Sequence, residues 1–434
     1  MAGTDLSIHK FLRYDVKMDS KINAPLSEKS RSFHGLGIAP IIMNELSRLG
    51  FQIPTPIQLQ AIPPAIEGKD VIGVAQTGTG KTLAYGIPLV QKLSQGRKYG
   101  LILVPTRELA LQIDVEIRKI GTSSRLRTAI LIGGSPMGQQ LRSLRSNPQI
   151  VIATPGRLND HLKQKTMHLG TVEILVIDEA DRMLDMGFWP QIKQIVASIP
   201  REKQTLLFSA TLSKEIMDLA GKYMRLPTSI EIAPSGTTVE NVSQEIFMVR
   251  REDKMRLLEK VLSERKGSTI VFTRTKYGAT RVMRGVKTLG HSAAEIHSNR
   301  SLNQRKDALE GFRSGRYRVL VATDIAARGI DVKGVELVVN YDLPSQSEDY
   351  VHRIGRTARA GATGHAISFA MPDERRDIRD IEKLIRKSIP VSNVAGFSAP
   401  EAPFAQPANQ RSGGRFTPRK HFRRGGRRDF RQHR

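Results

Sequence analysis

The sequence predicts an α/β chain: two tandem domains with parallel sheets, followed by a disordered basic C-terminal tail. Three observations carry the layout. Short runs rich in Val, Ile and Leu recur between helix-length stretches, the pattern of strands covered on both faces. The series runs once over residues 33–228 and again over 244–390, each long enough to bury a core. From Val391 large aliphatic residues thin out and Pro, Ala, Gly, Arg and Gln dominate, leaving too little apolar surface to offset chain entropy.

In the first series strands are expected at Val71–Val74, Leu101–Val104, Ile150–Ala153, Ile174–Ile177 and Leu206–Ser209, each bounded by turn residues. Residues 229–243, rich in Pro, Ser, Gly and Thr, read as an interdomain linker. The second series places strands at Thr269–Thr273, Ser292–Ile296, Val319–Ala322, Leu337–Asn340 and Ala366–Ala370. Helices are expected at Lys254–Arg265, Asn303–Arg313 and, closing the domain, Glu374–Ser388. Residues 1–32 read as a mobile extension and 391–434 as a disordered Arg/Gly-rich tail.

Composition excludes several chemistries. The chain has 434 residues and no cysteine, which rules out disulfides, thiolate zinc sites and cysteine nucleophiles. The N-terminus lacks the apolar core of a secretory signal, and no apolar run approaches the roughly 18 residues of a membrane span. A cytoplasmic protein is expected, with neither a membrane nor zinc as partner. Charge is more informative. Lys and Arg number 68 against 42 Asp and Glu, a net +26. Residues 411–434 hold nine Arg and one Lys against one Asp, so the tail alone carries +9. A basic body with a one-sided basic tail points to a polyanion, most often nucleic acid.

Ligands of open α/β sheets gather at the carboxyl ends of the strands. After Val71–Val74 comes Ala75-Gln76-Thr77-Gly78-Thr79-Gly80-Lys81-Thr82, opening a helix. Gly78 and Gly80 let backbone amides approach phosphates, and the helix N-terminus adds its dipole. Lys81 supplies a point charge for β/γ-phosphates, and the Thr82 hydroxyl suits Mg2+. Ala75 stands where this loop pattern usually opens with Gly. Asp178-Glu179-Ala180-Asp181 follows the strand Ile174–Ile177. Alone it reads as a solvated turn. Paired with the phosphate loop, Asp178 becomes a magnesium holder and Glu179 the base that orients and deprotonates water. ATP and Mg2+ are the expected ligands.

With these motifs placed, the chain resembles the DEAD-box RNA helicases over roughly residues 33–389. Gly50-Phe51-Gln52-Ile53-Pro54-Thr55-Pro56-Ile57-Gln58 resembles the family's adenine-reading motif. The resemblance implies that Gln58 hydrogen-bonds adenine and that Phe33 stacks on it. Pro105-Thr106-Arg107-Glu108-Leu109-Ala110, Gly133-Gly134 and Thr154-Pro155-Gly156-Arg157 resemble the motifs that grip the RNA backbone, implicating Thr106, Arg107, Gly134, Thr154 and Arg157. Ser209-Ala210-Thr211 resembles the motif coupling hydrolysis to duplex opening, by hydrogen bonds to the 178–181 box and its Asp181. In the second domain Val271-Phe272-Thr273-Arg274 resembles motif four. The run Ala322-Thr323-Asp324 through Asp331 resembles motif five, implying that Thr323 touches a phosphate and Asp331 the ATP ribose. His352-Arg353-Ile354-Gly355-Arg356-Thr357-Ala358-Arg359 resembles motif six, making Arg356 and Arg359 arginine fingers. Three positions depart from the pattern: Leu302 replaces a common Gln, Asn299 a common Asp and Ala358 a usual Gly. The short basic tail is most similar to that of bacterial RhlE-type members.

This resemblance implies two tandem RecA-like domains forming an ATP-dependent RNA helicase that opens short duplexes locally, non-processively, or remodels RNA–protein complexes. Domains that stand apart without ligand would close over ATP and RNA. Ribosomal RNA and RNA-decay complexes are the candidate partners, and the tail would tether structured RNA. The competing readings are an RNA-annealing chaperone with incidental ATPase activity and a DNA helicase.

Overall fold

The computed structural model describes residues 32–76, 78–94, 99–232, 242–324, 335–358 and 363–392. The first domain opens with α1 (Pro40–Arg48) and α2 (Pro56–Ile66). It then alternates β1 (Val71–Val74), α3 (Lys81–Leu93), β2 (Tyr99–Leu103), α4 (Arg107–Ile120), β3 (Thr128–Leu131), α5 (Met137–Arg145), β4 (Ile150–Ala153) and α6 (Pro155–Lys163). It ends with β5 (Val172–Ile177), α7 (Ala180–Asp185), α8 (Trp189–Ala197), β6 (Gln204–Ser209), α9 (Lys214–Tyr223) and β7 (Thr228–Glu231). The second domain runs β8 (Val242–Met248), α10 (Lys254–Glu264), β9 (Thr269–Phe272), α11 (Lys276–Thr288), β10 (Ala293–Ile296) and α12 (Leu302–Arg313). It closes with β11 (Val319–Ala322), β12 (Leu337–Asn340), α13 (Ser347–Ile354), β13 (Gly364–Ala370), α14 (Arg375–Ile385) and β14 (Val391–Ser392).

Each domain carries a seven-stranded sheet, ordered β3-β4-β2-β5-β6-β1-β7 in the first and β10-β11-β9-β12-β13-β8-β14 in the second. Every strand pair is parallel. Alternation explains the two-faced core. In β5, Ile174 and Val176 face a cluster containing Leu46, Ile87 and Ile113. Leu175 and Ile177 face the opposite cluster with Ile192, Ile195 and Leu219. Each such side chain contributes about 1.5–3 kcal/mol by leaving water.

The sequence-based strands are all present together with four more, of which β7, β8 and β14 lack a continuous apolar run while β3 continues into Ile132 as a short, largely buried apolar segment. β3 is a short TAIL segment, and β7 buries only Ile230. β8 and β14 lie at the end of the second sheet. Edge strands are half-wetted, so their sequences lose the continuous apolar signature. Two boundaries move in consequence. The cut at 228 falls inside an element, because β7 pairs with β1 through Glu231. The cut at 390 falls before β14, which pairs with β8.

The two domains are closed on one another rather than standing apart. The Arg305 guanidinium on α12 meets the Glu108 carboxylate on α4 at 2.8 Å, with side chains 9% and 4% exposed. Leu302, one turn before Arg305, packs against the first domain's core cluster. An apolar contact and a buried ion pair thus lie side by side between the two domains.

Candidate active site and nucleic-acid interface

The strand order divides the carboxyl edge of the first sheet in two. On one side β5, β6 and β1 carry the phosphate-site motifs; on the other β3, β4 and β2 carry the candidate RNA contacts.

At the phosphate side, Gly78 and Gly80 both take positive φ, 87° and 89°, a conformation that favours glycine. Gly80 caps α3. Lys81 Nζ donates to the Ala75 carbonyl at 2.9 Å, and Thr79 Oγ1 to Gln76 O at 2.7 Å. Gln58 Nε2 donates to Gly80 O at 3.0 Å, while its Oε1 accepts from Thr55 N at 2.9 Å. Gln58 therefore bolts α2 to the phosphate loop, a contact the adenine-reading expectation did not contain. A Cβ on Gly80 would lie 2.3 Å from Gln58 Nε2, so only glycine fits. Phe33 is 2% exposed within the core cluster, so its ring is not presented for stacking in this structure. Thr77 lies outside the described residues.

Asp178 is buried at the end of β5, where Tyr85 OH donates to its Oδ2 at 2.9 Å. Burial raises the Asp178 pKa to about 6, opposed by the nearby Lys81 charge. Glu179 sits in left-handed backbone, φ 53°, at the start of α7, with Arg182 Nε 3.6 Å from its Oε2. The expected bonds to Asp181 are present. The amides of Ala210 and Thr211 donate to its Oδ2 at 3.0 and 3.1 Å, and its own amide donates to Ser209 Oγ at 3.2 Å. Ser209 ends β6, beside β5, so this knot ties the phosphate-side strands together.

Mg2+ suits this donor set. Thr82 and Asp178 both border the Tyr85 hydroxyl, and hard oxygen donors with a buried carboxylate match a small divalent cation. A proton competes with that cation at Asp178. Below about pH 6 the group is protonated, so the melting-temperature gain from a Mg2+–nucleotide analogue is expected to shrink from pH 7.5 to 5.5. A gain unchanged across that range would remove Asp178 as the pH-sensitive ligand.

On the other side, Thr106 caps α4 and accepts from Leu109 N, while Thr154 precedes α6. The Arg107 guanidinium lies over Gly133 and Gly134; a Cβ on Gly134 would come within 2.2 Å of Arg107. Arg157 Nη1 donates to Ser135 O at 3.0 Å. The neighbouring ends of β2, β3 and β4 thus gather all five predicted contacts of this domain.

In the second domain Thr323 directly follows β11, its amide donating to Ile296 O. Asp331 and Arg359 lie outside the described residues. Arg356 is 4% exposed and lines a cavity of about 10 Å3 with Arg182, Asp324 and His352, so Arg356 and the neighbour of Glu179 share one interdomain space. Burial lowers the His352 pKa, and Arg182 adds to the effect. Several participants had no separate sequence signal. Tyr85 reads as an ordinary core aromatic. Arg182 follows the 178–181 box and is 1% exposed. Arg353 grips Asp324 with Nε at 2.5 Å and Nη2 at 2.8 Å. Only its place inside the arginine run marked it. A larger cavity, about 270 Å3 between Asn159 and Gln194, contains none of the predicted residues.

Ala358 has φ 53°. The left-handed region explains why Gly is usual there, since an L-residue costs roughly 1–2 kcal/mol in it. Ala358→Gly is expected to raise folding stability by about 1 kcal/mol in urea unfolding. No gain would mean the strain is relieved elsewhere.

A phosphate loop and acidic box on one parallel sheet, facing arginines from a second, define a two-domain RecA-like nucleotide-driven motor. The DEAD/DEAH box helicase family model matches residues 55–219, and that of the helicase conserved C-terminal domain matches 253–361. The chain is 42% identical over 361 residues to the DEAD-box ATP-dependent RNA helicase CshA of Bacillus subtilis, covering 82% of this chain and 73% of that one. Among solved structures, S. cerevisiae Dbp5 bound to RNA and ADP BeF3 matches with TM-score 0.74 at 30% identity, over 84% and 95% of the two chains. Mss116p bound to ssRNA and AMP-PNP matches with TM-score 0.77 at 29% identity, over 86% and 81%. The chain belongs to the DEAD-box ATP-dependent RNA helicases. It is an RNA-dependent ATPase that binds RNA and unwinds or remodels it. Among the described residues no helix is long and apolar enough to cross a membrane.

Proposed function

We propose that the residues assembled here carry out local, non-processive strand separation. The observation that supports this reading best is the hydrogen-bonded knot of Asp181 with Ser209, Ala210 and Thr211. It joins the acidic box after β5 to the end of β6, within the phosphate side of the sheet edge and one strand away from β2. A change at the acidic box therefore passes directly to the 209–211 segment through these bonds.

In the proposed cycle Lys81 and the amides of the 76–82 loop hold the ATP phosphates. Gln58 fixes the loop and reads adenine with its remaining amide capacity. Mg2+, held by Thr82 and Asp178, would neutralise phosphate charge. Glu179 takes a proton from the attacking water, Arg356 and Arg359 face the γ-phosphate, and Asp331 meets the ribose. Thr106, Arg107, Gly134, Thr154, Arg157 and Thr323 grip one RNA strand by its backbone. A strand held across both closed domains cannot stay fully paired, so a short duplex opens. Ribosomal RNA or RNA-decay complexes as substrates, a cytoplasmic location and the RhlE-type placement all belong to this proposal; the relative described above carries the CshA name.

Asp181→Ala with Ser209→Ala, which removes the side chains that make all three bonds, tests the reading. RNA-stimulated ATP hydrolysis is expected to persist within about tenfold while strand separation is lost. Equal loss of both would make the knot part of the ATPase site alone. Unwinding that survives Glu179→Gln would favour an annealing chaperone, and equal stimulation by single-stranded DNA would favour a DNA helicase. Removal of residues 393–434, which leaves β14 in place, is expected to weaken binding to structured RNA and flatten its salt dependence. Unchanged affinity would overturn the tether.

A further inference from the structure

The outward face of α11 combines an exposed aromatic with one-signed charge. Tyr277 is 73% exposed, against 41% for Phe51, the other aromatic among the exposed large apolar side chains. Arg281 and Arg284 are exposed on the same face, four and seven residues further along. The helix contains Lys276, Arg281, Arg284 and Lys287 and no acidic residue. Helices α10, α12 and α14 of the same domain all mix acids with bases, so the one-sided face is not a general feature of this surface.

The start of the stripe is fixed at the RNA edge of the second sheet. β11 lies between β10 and β9, and the amides of Thr323 and Thr273 donate to Ile296 O and Ala322 O. Lys276 Nζ reaches from α11 to Asn299 Oδ1, beyond the end of β10, at 3.0 Å. It therefore spans the strand end that bears Thr323. The same ammonium lies 5.2 Å from the Tyr277 ring centroid. Below it, Thr280 Oγ1 pairs with His297 Nε2 at 3.2 Å, and His297 with Glu295 at 3.0 Å, which anchors the first turn. From Tyr277 to Arg284 the stripe runs about 10 Å along the helix.

We propose that Tyr277, Arg281 and Arg284 extend the RNA path from the cleft onto the outer face of the second domain. Tyr277 stacks on a base of the flanking single strand, and the two arginines hold its phosphates. Stacking tolerates any base, and arginine binds phosphate oxygens with a preformed fork, so this track binds RNA without reading sequence. The proposal rests on Thr323 being a phosphate contact, and it adds base contacts to a grip otherwise made through the backbone.

The test compares the full chain on a short oligouridine confined to the cleft and on the same strand extended at one end or the other. Tyr277→Ala is expected to lose about five- to a hundred-fold in affinity for one extended strand. Tyr277→Phe keeps that affinity, and an abasic extension removes the difference between wild type and Tyr277→Ala. Arg281→Gln with Arg284→Gln is expected to lower the slope of log affinity against log salt by about 1.4. All three side chains are solvent-facing, so these variants fold. ATP hydrolysis stimulated by the short strand stays unchanged in each, which separates failure of this track from failure of the cleft reading. Wild-type affinity of Tyr277→Ala and of the arginine variant for both extended strands would overturn the proposal.

Discussion

Glu179→Gln is expected to lower the turnover number for RNA-stimulated ATP hydrolysis by about 10²–10⁴-fold while leaving RNA affinity with bound nucleotide intact. Glu179 is held for its task by its surroundings. Its backbone is fixed at φ 53° on the first residue after Asp178, its amide donates to Asp178 Oδ1 at 2.9 Å, and Arg182 borders its carboxylate. The glutamine keeps size and shape, so the 75–82 loop and the Asp181 knot are undisturbed. What is lost is the proton acceptor. Nucleotide and RNA therefore still close the domains, and the variant is expected to dissociate from RNA more slowly than wild type. Single-turnover hydrolysis and RNA dissociation with ATP present measure both quantities. Turnover within tenfold of wild type would assign the base to another group.

The second large effect concerns the interdomain ion pair. Arg305→Ala is expected to raise the RNA concentration for half-maximal ATP hydrolysis by at least about a hundred-fold. Breaking a buried pair on one side costs roughly 3–5 kcal/mol, because a charge is left uncompensated. The penalty falls only on the closed form, since opening rehydrates Glu108. Burial already raises the Glu108 pKa, with Arg305 opposing it. Without Arg305 the group takes up a proton more readily, so the defect shrinks as pH falls. Glu108→Ala combined with Arg305→Ala removes both charges and recovers part of the affinity. A double variant as weak as Arg305→Ala, with no pH dependence, would show that the pair does not govern closure. Leu302 belongs to the same contact. A leucine lies where an amide is common, packed against the first domain's core rather than offering a polar group.

Much of this site is legible in one dimension because its chemistry is local. Residues 75–82 need a strand before them, glycines at the tight positions and a helix after them, and all three lie within a dozen residues of sequence. Asp178 and Glu179 are visible for the same reason, and so is the tail's charge. β7, β8 and β14 lie toward a sheet edge, where a continuous apolar run is not required, whereas β3 is apolar but only four residues long.

Other features depend on residues far apart in the chain. Tyr85 becomes a partner of Asp178 only because α3 passes the end of β5, 93 residues later. Gln58 serves the phosphate loop as well as its helix cap because α2 packs on α3. Phe33 was placed at the base by motif alone, and the fold buries it instead. Composition and local pattern suffice for the phosphate loop, the acidic box, the two α/β domains and the polyanion partner. Three arrangements depend on the tertiary structure: the phosphate loop and acidic box share one half of the sheet edge, Arg305 meets Glu108, and Arg182 and Arg356 share one space. Strand order and domain closure set those distances, and neither is written in any local stretch of the chain.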